Sequence, residues 1–199
     1  PWGFTAPGEG ASWGSFMCAG AWCCQHIIER YRFSLDKNVL RENYDIMRGS
    51  AEFFLDYLTF DPNTGYLATC PSNSPENSFF APDGGRYSIC AGPTMDNEIV
   101  RELFNNTAEA ADILGVDEDF AALLREKAAR LSPIKVGKHG QIMEWSEDFD
   151  EPEPGHRHVS HLYALHPGCE ITRNTPELMD AAKVTLKRRL SGGGGHTGW

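Results

Sequence analysis

The chain has 199 residues, 41% of them hydrophobic and 23% charged. That is too apolar for a disordered tail and long enough for one or two compact domains. Twenty-eight Asp and Glu stand against eighteen Lys and Arg, a formal net charge of −10, which repels a phosphate polyanion and argues against a nucleic-acid partner. No run approaches the roughly 20 apolar residues of a membrane-spanning helix, so no membrane partner is expected.

The chain opens on Pro1-Trp2-Gly3 and stops at Thr197-Gly198-Trp199, with neither an initiator Met nor a charged-then-apolar leader. The expectation is an interior piece of a longer protein, both ends truncated. Six cysteines (Cys18, Cys23, Cys24, Cys70, Cys90 and Cys169) match no zinc spacing. The adjacent Cys23 and Cys24 read as buried free thiols in an apolar stretch. Asn105-Asn106-Thr107 fits a glycosylation sequon. The compartment stays undetermined, an extracellular or periplasmic one slightly favoured.

In chain order, Ala21 to Phe33 reads as a helix with Trp22, His26, Ile27 and Tyr31 close to one face. Leu40, Tyr44, Met47, Ala51, Phe54 and Leu58 then step by four and three, one apolar stripe on a longer helix with Asp36 as its N-cap. Ile99, Leu103, Ala110, Ile113 and Leu114 form the next stripe, ending at Gly115 as a C′ residue. Asp117 starts a helix carrying Phe120, Leu124, Ala128 and Leu131 and stopped by Pro133. Thr175-Pro176, an N-cap followed by proline at the first helical position, opens a last helix with Leu178, Ala182 and Leu186 inward.

These helices pair. One pair occupies roughly 20–58, a second 95–131, and a third is predicted from His158–Leu165 with Thr175–Leu190. Between them lie Asp61–Gly92 and Pro133–Gly155, rich in Gly, Pro, Asn and Asp and long enough to carry function or small strands. Three α-hairpins with long loops fit part of an α/α toroid, and spacing alone equally permits an irregular helical domain.

Two prolines and a Ser/Asn cluster make Pro71-Ser72-Asn73-Ser74-Pro75-Glu76-Asn77 a stiff turn that holds Glu76 on a loop. Beside Phe79 and Phe80 its carboxyl is a candidate proton donor with a raised pKa; the plainer reading is a turn whose Glu caps a neighbouring helix. His156-Arg157-His158-Val159-Ser160-His161 gathers three imidazoles, but Arg157 sets a fixed positive charge between the first two, which opposes a metal. Its donors suit polyhydroxyl recognition, against the alternative of satisfied core histidines at a helix start. Asp96 either caps the helix it opens or binds a hydroxyl. Glu144 and Trp145 mix an acid with a flat ring, as a sugar cleft or an ordinary short strand does. Tryptophans 2, 13, 22, 145 and 199 can stack on sugar rings or plug a core. Gly192 to Gly195 lack the G-K-[ST] of a phosphate loop and read as a helix exit.

Taken together these blocks resemble glycoside hydrolase family 95, the 1,2-α-L-fucosidases. Gly20-Ala21-Trp22-Cys23-Cys24-Gln25-His26, with Tyr31 beyond, is similar to its G-A-W-x-x-x-H…Y helix. Pro71 to Asn77 resembles its P-S-x-S-P-E-N loop, Thr94-Met95-Asp96 its T-M-D, and Gly140 to Trp145 its G-Q-L-x-E-W. Gly155 to Leu162 matches G-H-R-H-x-S-H-L, and Thr197-Gly198-Trp199 the closing T-G-W. Phe16-Met17-Cys18 and Cys23-Cys24 depart from the pattern and loosen the sugar assignment.

The resemblance implies an all-α fold, an (α/α)6 toroid of which about half is present, with 1–199 as part of a single catalytic domain. It implies hydrolysis of terminal α-1,2-linked L-fucose with inversion on a fucosylated oligosaccharide, without metal or organic cofactor. Glu76 would be the general acid, and Trp22, His26, Asp96, Trp145, Arg157, His158 and Trp199 would bind substrate. The asparagines and aspartate that activate water would lie in blocks outside this chain. The alternatives are an α-L-galactosidase or related α-galactoside hydrolase of the same family, and a binding module without chemistry. The segment by itself is expected to associate and to be inactive.

Overall fold

The computed structural model describes residues 15–192. Trp2, Trp13 and Trp199, and most of the Gly192–Gly195 run, lie outside the described residues. The architecture is mostly helical, with five α-helices among the described residues: α1 (Ala19–Ser34), α2 (Lys37–Tyr57), α3 (Thr94–Leu114), α4 (Glu118–Ala129) and α5 (Pro176–Leu190). The chain divides into two compact units. One comprises Met17–Thr69 with Asp96–Ser132; the other gathers Cys70–Met95 and the described chain from Pro133 onward, with Ser15 and Phe16.

In the first of these units the helix stripes do what their period demands. Leu40, Met47, Ala51 and Phe54 of α2, Ile28 of α1, and Ile99 and Phe104 of α3 are all essentially inaccessible. Fully burying each of the larger ones contributes about 1.5–3 kcal/mol. Asp36 caps α2 as predicted, its carboxylate accepting from Asn38 N–H at 2.9 Å. The α1–α2 corner is closed by Leu35, left-handed at φ 55, whose N–H donates to Tyr31 C=O. Arg32 of α1 reaches α3, donating to Asn106 Oδ1 at 3.0 Å and Glu109 Oε2 at 2.7 Å. Gly115 ends α3 at φ +69, a conformation costly to any residue with a Cβ. The β-ladder of β1 (Leu58–Phe60) with β2 (Leu67–Thr69) completes this unit.

α3 begins at Thr94, so Asp96 falls within its first turn and is not its N-cap. The carboxylate turns inward instead and accepts from Thr69 Oγ1 at 2.6 Å, with Asp96 and Thr69 each 1% exposed. Burial pushes the nearby Cys18 thiol up, and the Asp96 charge adds to that. The sequon of Asn105 lies in mid-helix, with Thr107 wholly buried. All six cysteines are free; Cys24 is buried, whereas Cys23 is exposed, against expectation.

The other unit is built from loops with short ladders: β3 (Ser72–Asn73) with β6 (Ile89–Cys90), and β4 (Phe79–Phe80) with β5 (Arg86–Tyr87). Its core packs Ile142, Leu162, Ala164 and Ile171 against Ala181 and Ala182 of α5. Pro176 sits at the start of α5 as predicted, but Thr175 supplies no cap; its hydroxyl instead closes a local turn with Thr172. The third helical pair is corrected. His158–Leu165 forms no α-helix, only a 3-10 turn at Ser160–Leu162 with three-residue hydrogen bonds such as Leu162 N–H to Val159 C=O. The reasons are both local and distant: His158 N–H is taken by His156 Nδ1 at 3.1 Å and Pro167 removes the next donor, while the Ser160 hydroxyl is tied to Ser74 from far along the chain.

Candidate active site

Glu76 stands at a corner the chain could hardly make otherwise. Asn77 N–H donates to Ser74 C=O at 2.9 Å, closing a four-residue turn with Pro75 and Glu76 at its two central positions. The ladder between β3 and β6 anchors the strand that leads into it. The Glu76 side chain is 32% exposed, so solvent and solutes reach it.

Facing this carboxyl are the predicted donors. The Arg157 guanidinium hydrogen-bonds Glu76 Oε2, and His158 Nε2 stands 3.6 Å from the same oxygen. Both donor side chains are themselves partly exposed, at 41% and 37%. The two rings expected beside Glu76 part company. Phe79 is buried and stacks on Phe149 with ring centres 4.5 Å apart, whereas Phe80 is exposed. Among the described residues a guanidinium and an imidazole face the carboxyl.

Behind the turn lies a buried polar cluster that the sequence reading did not assign. Glu144 is 5% exposed. Its Oε1 accepts from Ser74 Oγ at 2.6 Å and its Oε2 from Asn77 Nδ2 at 2.9 Å, while the Arg189 guanidinium pairs with Oε2. Ser160 Oγ lies 2.6 Å from Ser74 Oγ and 3.5 Å from Glu144 Oε1. Arg189, 3% exposed on α5, also donates to Glu151 and, at 2.9 Å, to Pro154 C=O. Burial pushes the Glu144 carboxyl upward; Arg189 and the Ser74 and Asn77 donors draw it back without cancelling the rise. Burial holds the His161 imidazole well below its ordinary value, and the Arg189 charge acts in the same direction. His161 is thus neutral at pH 7, its Nδ1 3.9 Å from Glu144 Oε2 and without a hydrogen-bond partner among the described residues.

One signal for this cluster was present. Ala182, Thr185 and Arg189 step by three and four along α5 and are all buried, which puts a cation on an apolar face. The run Lys187-Arg188-Arg189 hides it, because basic residues in a last turn ordinarily serve the helix dipole.

The other predicted binders are placed less favourably. Trp145 is 2% exposed, its ring centre 5.2 Å from that of Phe79, and Nε1 has no partner among the described residues; it backs the turn and offers almost no face to a sugar. Asp96, spent on Thr69, likewise has almost no accessible surface. Trp22 and His26 lie on α1, half-buried and exposed respectively. They belong to the other unit from Glu76. Among the described residues no three His, Cys, Asp or Glu side chains are grouped to hold a metal ion.

The cluster can therefore present a carboxyl with a planar donor fork and an imidazole beside it, backed by the Glu144 network. Comparison with known proteins supplies the family. The model of the glycosyl hydrolase family 95 catalytic domain matches residues 1–199. The chain is 41% identical over 203 residues to Alpha-L-fucosidase 2 of Arabidopsis thaliana, covering 100% of this chain and 24% of that protein. It is 32% identical over 206 residues to Probable alpha-fucosidase A of Aspergillus niger, covering 99% of this chain and 25% of the relative. The chain thus spans about a quarter of the length of the curated relatives it matches. It belongs to glycosyl hydrolase family 95, within the catalytic domain.

Proposed function

We propose that this chain is the acid-bearing part of an exo-α-L-fucosidase that releases terminal α-1,2-linked fucose with inversion. Glu76 is the general acid: its carboxyl proton passes to the glycosidic oxygen as the bond to the anomeric carbon breaks. Arg157 and His158 exchange their contacts with Glu76 for fucose hydroxyls when substrate enters, the fork and the imidazole each matching a vicinal oxygen. Water attacks from the opposite face, activated by asparagines and an aspartate that the family pattern puts in blocks outside these 199 residues. In an inverting enzyme the two functional groups stand roughly 6.5–9.5 Å apart to leave room for that water. Both units belong to one catalytic domain, an (α/α)6 toroid to which this chain gives about half.

The observation that carries this reading is the convergence of Arg157 and His158 on a single solvent-accessible carboxyl at a turn tip. The test uses the full-length protein and 2′-fucosyllactose, with the anomer of the released sugar followed by NMR. Glu76→Gln keeps the shape and removes the proton; kcat should fall about 10²–10⁴-fold, the usual worth of a general acid, with KM nearly unchanged. Wild-type turnover in that variant, or first-formed sugar with retained configuration, overturns the proposal.

A further inference from the structure

We infer that Glu144 is a positioning residue for the proposed reaction: one buried carboxylate holds the turn that carries Glu76 in register with the segment that carries Arg157 and His158. The inference rests on Glu76 being the acid.

Glu144 takes its two loop donors from either side of Glu76, Ser74 two residues before and Asn77 one residue after. The tip between them cannot tilt without lengthening one of two bonds at 2.6 and 2.9 Å. The same carboxylate reaches the donor segment through Ser160, two residues past His158, whose hydroxyl meets both Ser74 Oγ and Glu144 Oε1. Arg189 secures the arrangement from α5. It pairs with Glu144 and donates to Pro154 C=O and Glu151, at the opening of the segment that leads to Arg157. Glu144 is also held by its own backbone, its C=O accepting from Thr94 N–H at 3.0 Å. Two segments more than 80 residues apart in sequence, at Glu76 and Arg157, are thus referred to one anchor. Glu144 does not touch the reacting atoms; it acts through the turn.

A displaced acid harms reactions in proportion to their need for a proton. The test is therefore made on the full-length protein with two substrates, 2′-fucosyllactose, whose sugar leaving group needs protonation, and α-L-fucosyl fluoride, whose fluoride leaves with little help. Glu144→Gln keeps the shape but replaces one accepting oxygen with an amide that cannot accept. Asn77→Ala removes the bond to Glu144 and the one Asn77 Oδ1 accepts from Ser78 N–H at 2.8 Å, and leaves the Glu144–Arg189 pair in place, so it decides the matter if Glu144→Gln does not fold. Misplacement by about 1 Å costs roughly 10²-fold. We expect kcat on 2′-fucosyllactose to fall about 100-fold in Glu144→Gln and about 10-fold in Asn77→Ala. Rates on the fluoride should stay within about threefold, and KM should move little.

The alkaline limb of the kcat profile should move in both variants, because the carboxyl is held differently. Equal losses on both substrates mean a merely structural role and overturn the inference, as do wild-type rates on 2′-fucosyllactose. Glu76→Gln is assayed alongside. If it discriminates between the substrates and the other two variants do not, the positioning inference alone fails. If it keeps full activity on 2′-fucosyllactose, the acid assignment fails and takes the inference with it.

Discussion

Replacing Arg189 by methionine isolates the electrostatic part of the buried cluster, since the stem volume is largely kept and only the guanidinium is lost. Arg189 is 3% exposed and serves Glu144, Glu151 and Pro154 C=O. Glu151 still has Arg188 at 3.3 Å in the variant, so the stranded charge is that of Glu144. Breaking a buried pair by removing one partner costs about 3–5 kcal/mol. The lower end applies here, because Ser74 and Asn77 still donate to the carboxylate and it is able to take up a proton. That second route fixes the pH dependence. Burial already raises the Glu144 carboxyl, and losing Arg189 raises it further above its unfolded value of about 4.3. The folded variant then holds a proton that the unfolded chain has released, so its stability falls as pH rises through that window. The deficit against wild type should be small near pH 5 and reach about 3 kcal/mol by pH 8. Urea titration of the full-length proteins at both pH values, read by hydrogen exchange in peptides covering 72–78 and 142–146, measures it. A deficit below about 1 kcal/mol at pH 8, or one that grows toward acid, refutes the reasoning.

His161 works with the opposite sign. Its imidazole is held below the ordinary value, so the unfolded chain binds the extra proton first, and stability declines as pH drops below about 6.5, by up to about 1.4 kcal/mol per pH unit. His161→Gln should flatten that slope; Glu144, Arg189 and His156 face the site in both proteins, so their own titration largely cancels in the difference, and parallel profiles would sink the assignment. Gly115→Ala should destabilise by about 1–2 kcal/mol through its φ of +69 alone, since nothing lies within 4 Å of the added carbon. Thermal unfolding of that variant checks the figure, and an unchanged midpoint contradicts it.

Much of the helical framework was legible because it is written in local chemistry. The 3.6-residue stripes of α2 and α3, the Asp36 cap and the Gly115 exit each involve groups within a few residues of one another. The errors arose where a distant partner decided the outcome. Asp96 looks like a cap until Thr69, 27 residues away, claims its carboxylate. His158–Leu165 has helical composition, yet Ser160 is held by Ser74, 86 residues away. In the candidate site, the proline-flanked turn marked Glu76, and the density of donors marked Arg157 and His158. Glu144 and Arg189 are hard to assign because their meaning is their partnership across 45 residues; Glu144 has no local signature of it, and that of Arg189, its place on the buried face of α5, is masked by the basic last turn. Phe79 likewise answers to a distant partner: adjacency to Glu76 in sequence implies an apolar wall, while its ring is buried and stacks on Phe149, 70 residues on.

A carboxylate and a guanidinium buried together seldom add net stability over apolar side chains of similar volume, because both must leave water. The cluster is therefore better understood by direction than by strength. Apolar contacts are non-directional and let a loop slide by a fraction of an ångström at little cost. A carboxylate accepts along fixed lone-pair directions, and at Glu144 they are occupied by Ser74, Asn77, Ser160 and Arg189 together. A displacement that spares one of these bonds strains another. The Met17–Thr69 and Asp96–Ser132 unit packs apolar stripes from its helices, with Asp96 and Thr69 bonded among them. The turn at Glu76 has a stricter requirement, since proton transfer depends on heavy-atom separations near 2.6–3.2 Å. A buried, hydrogen-bonded ionic anchor suits such a position because it trades some stability for a defined place.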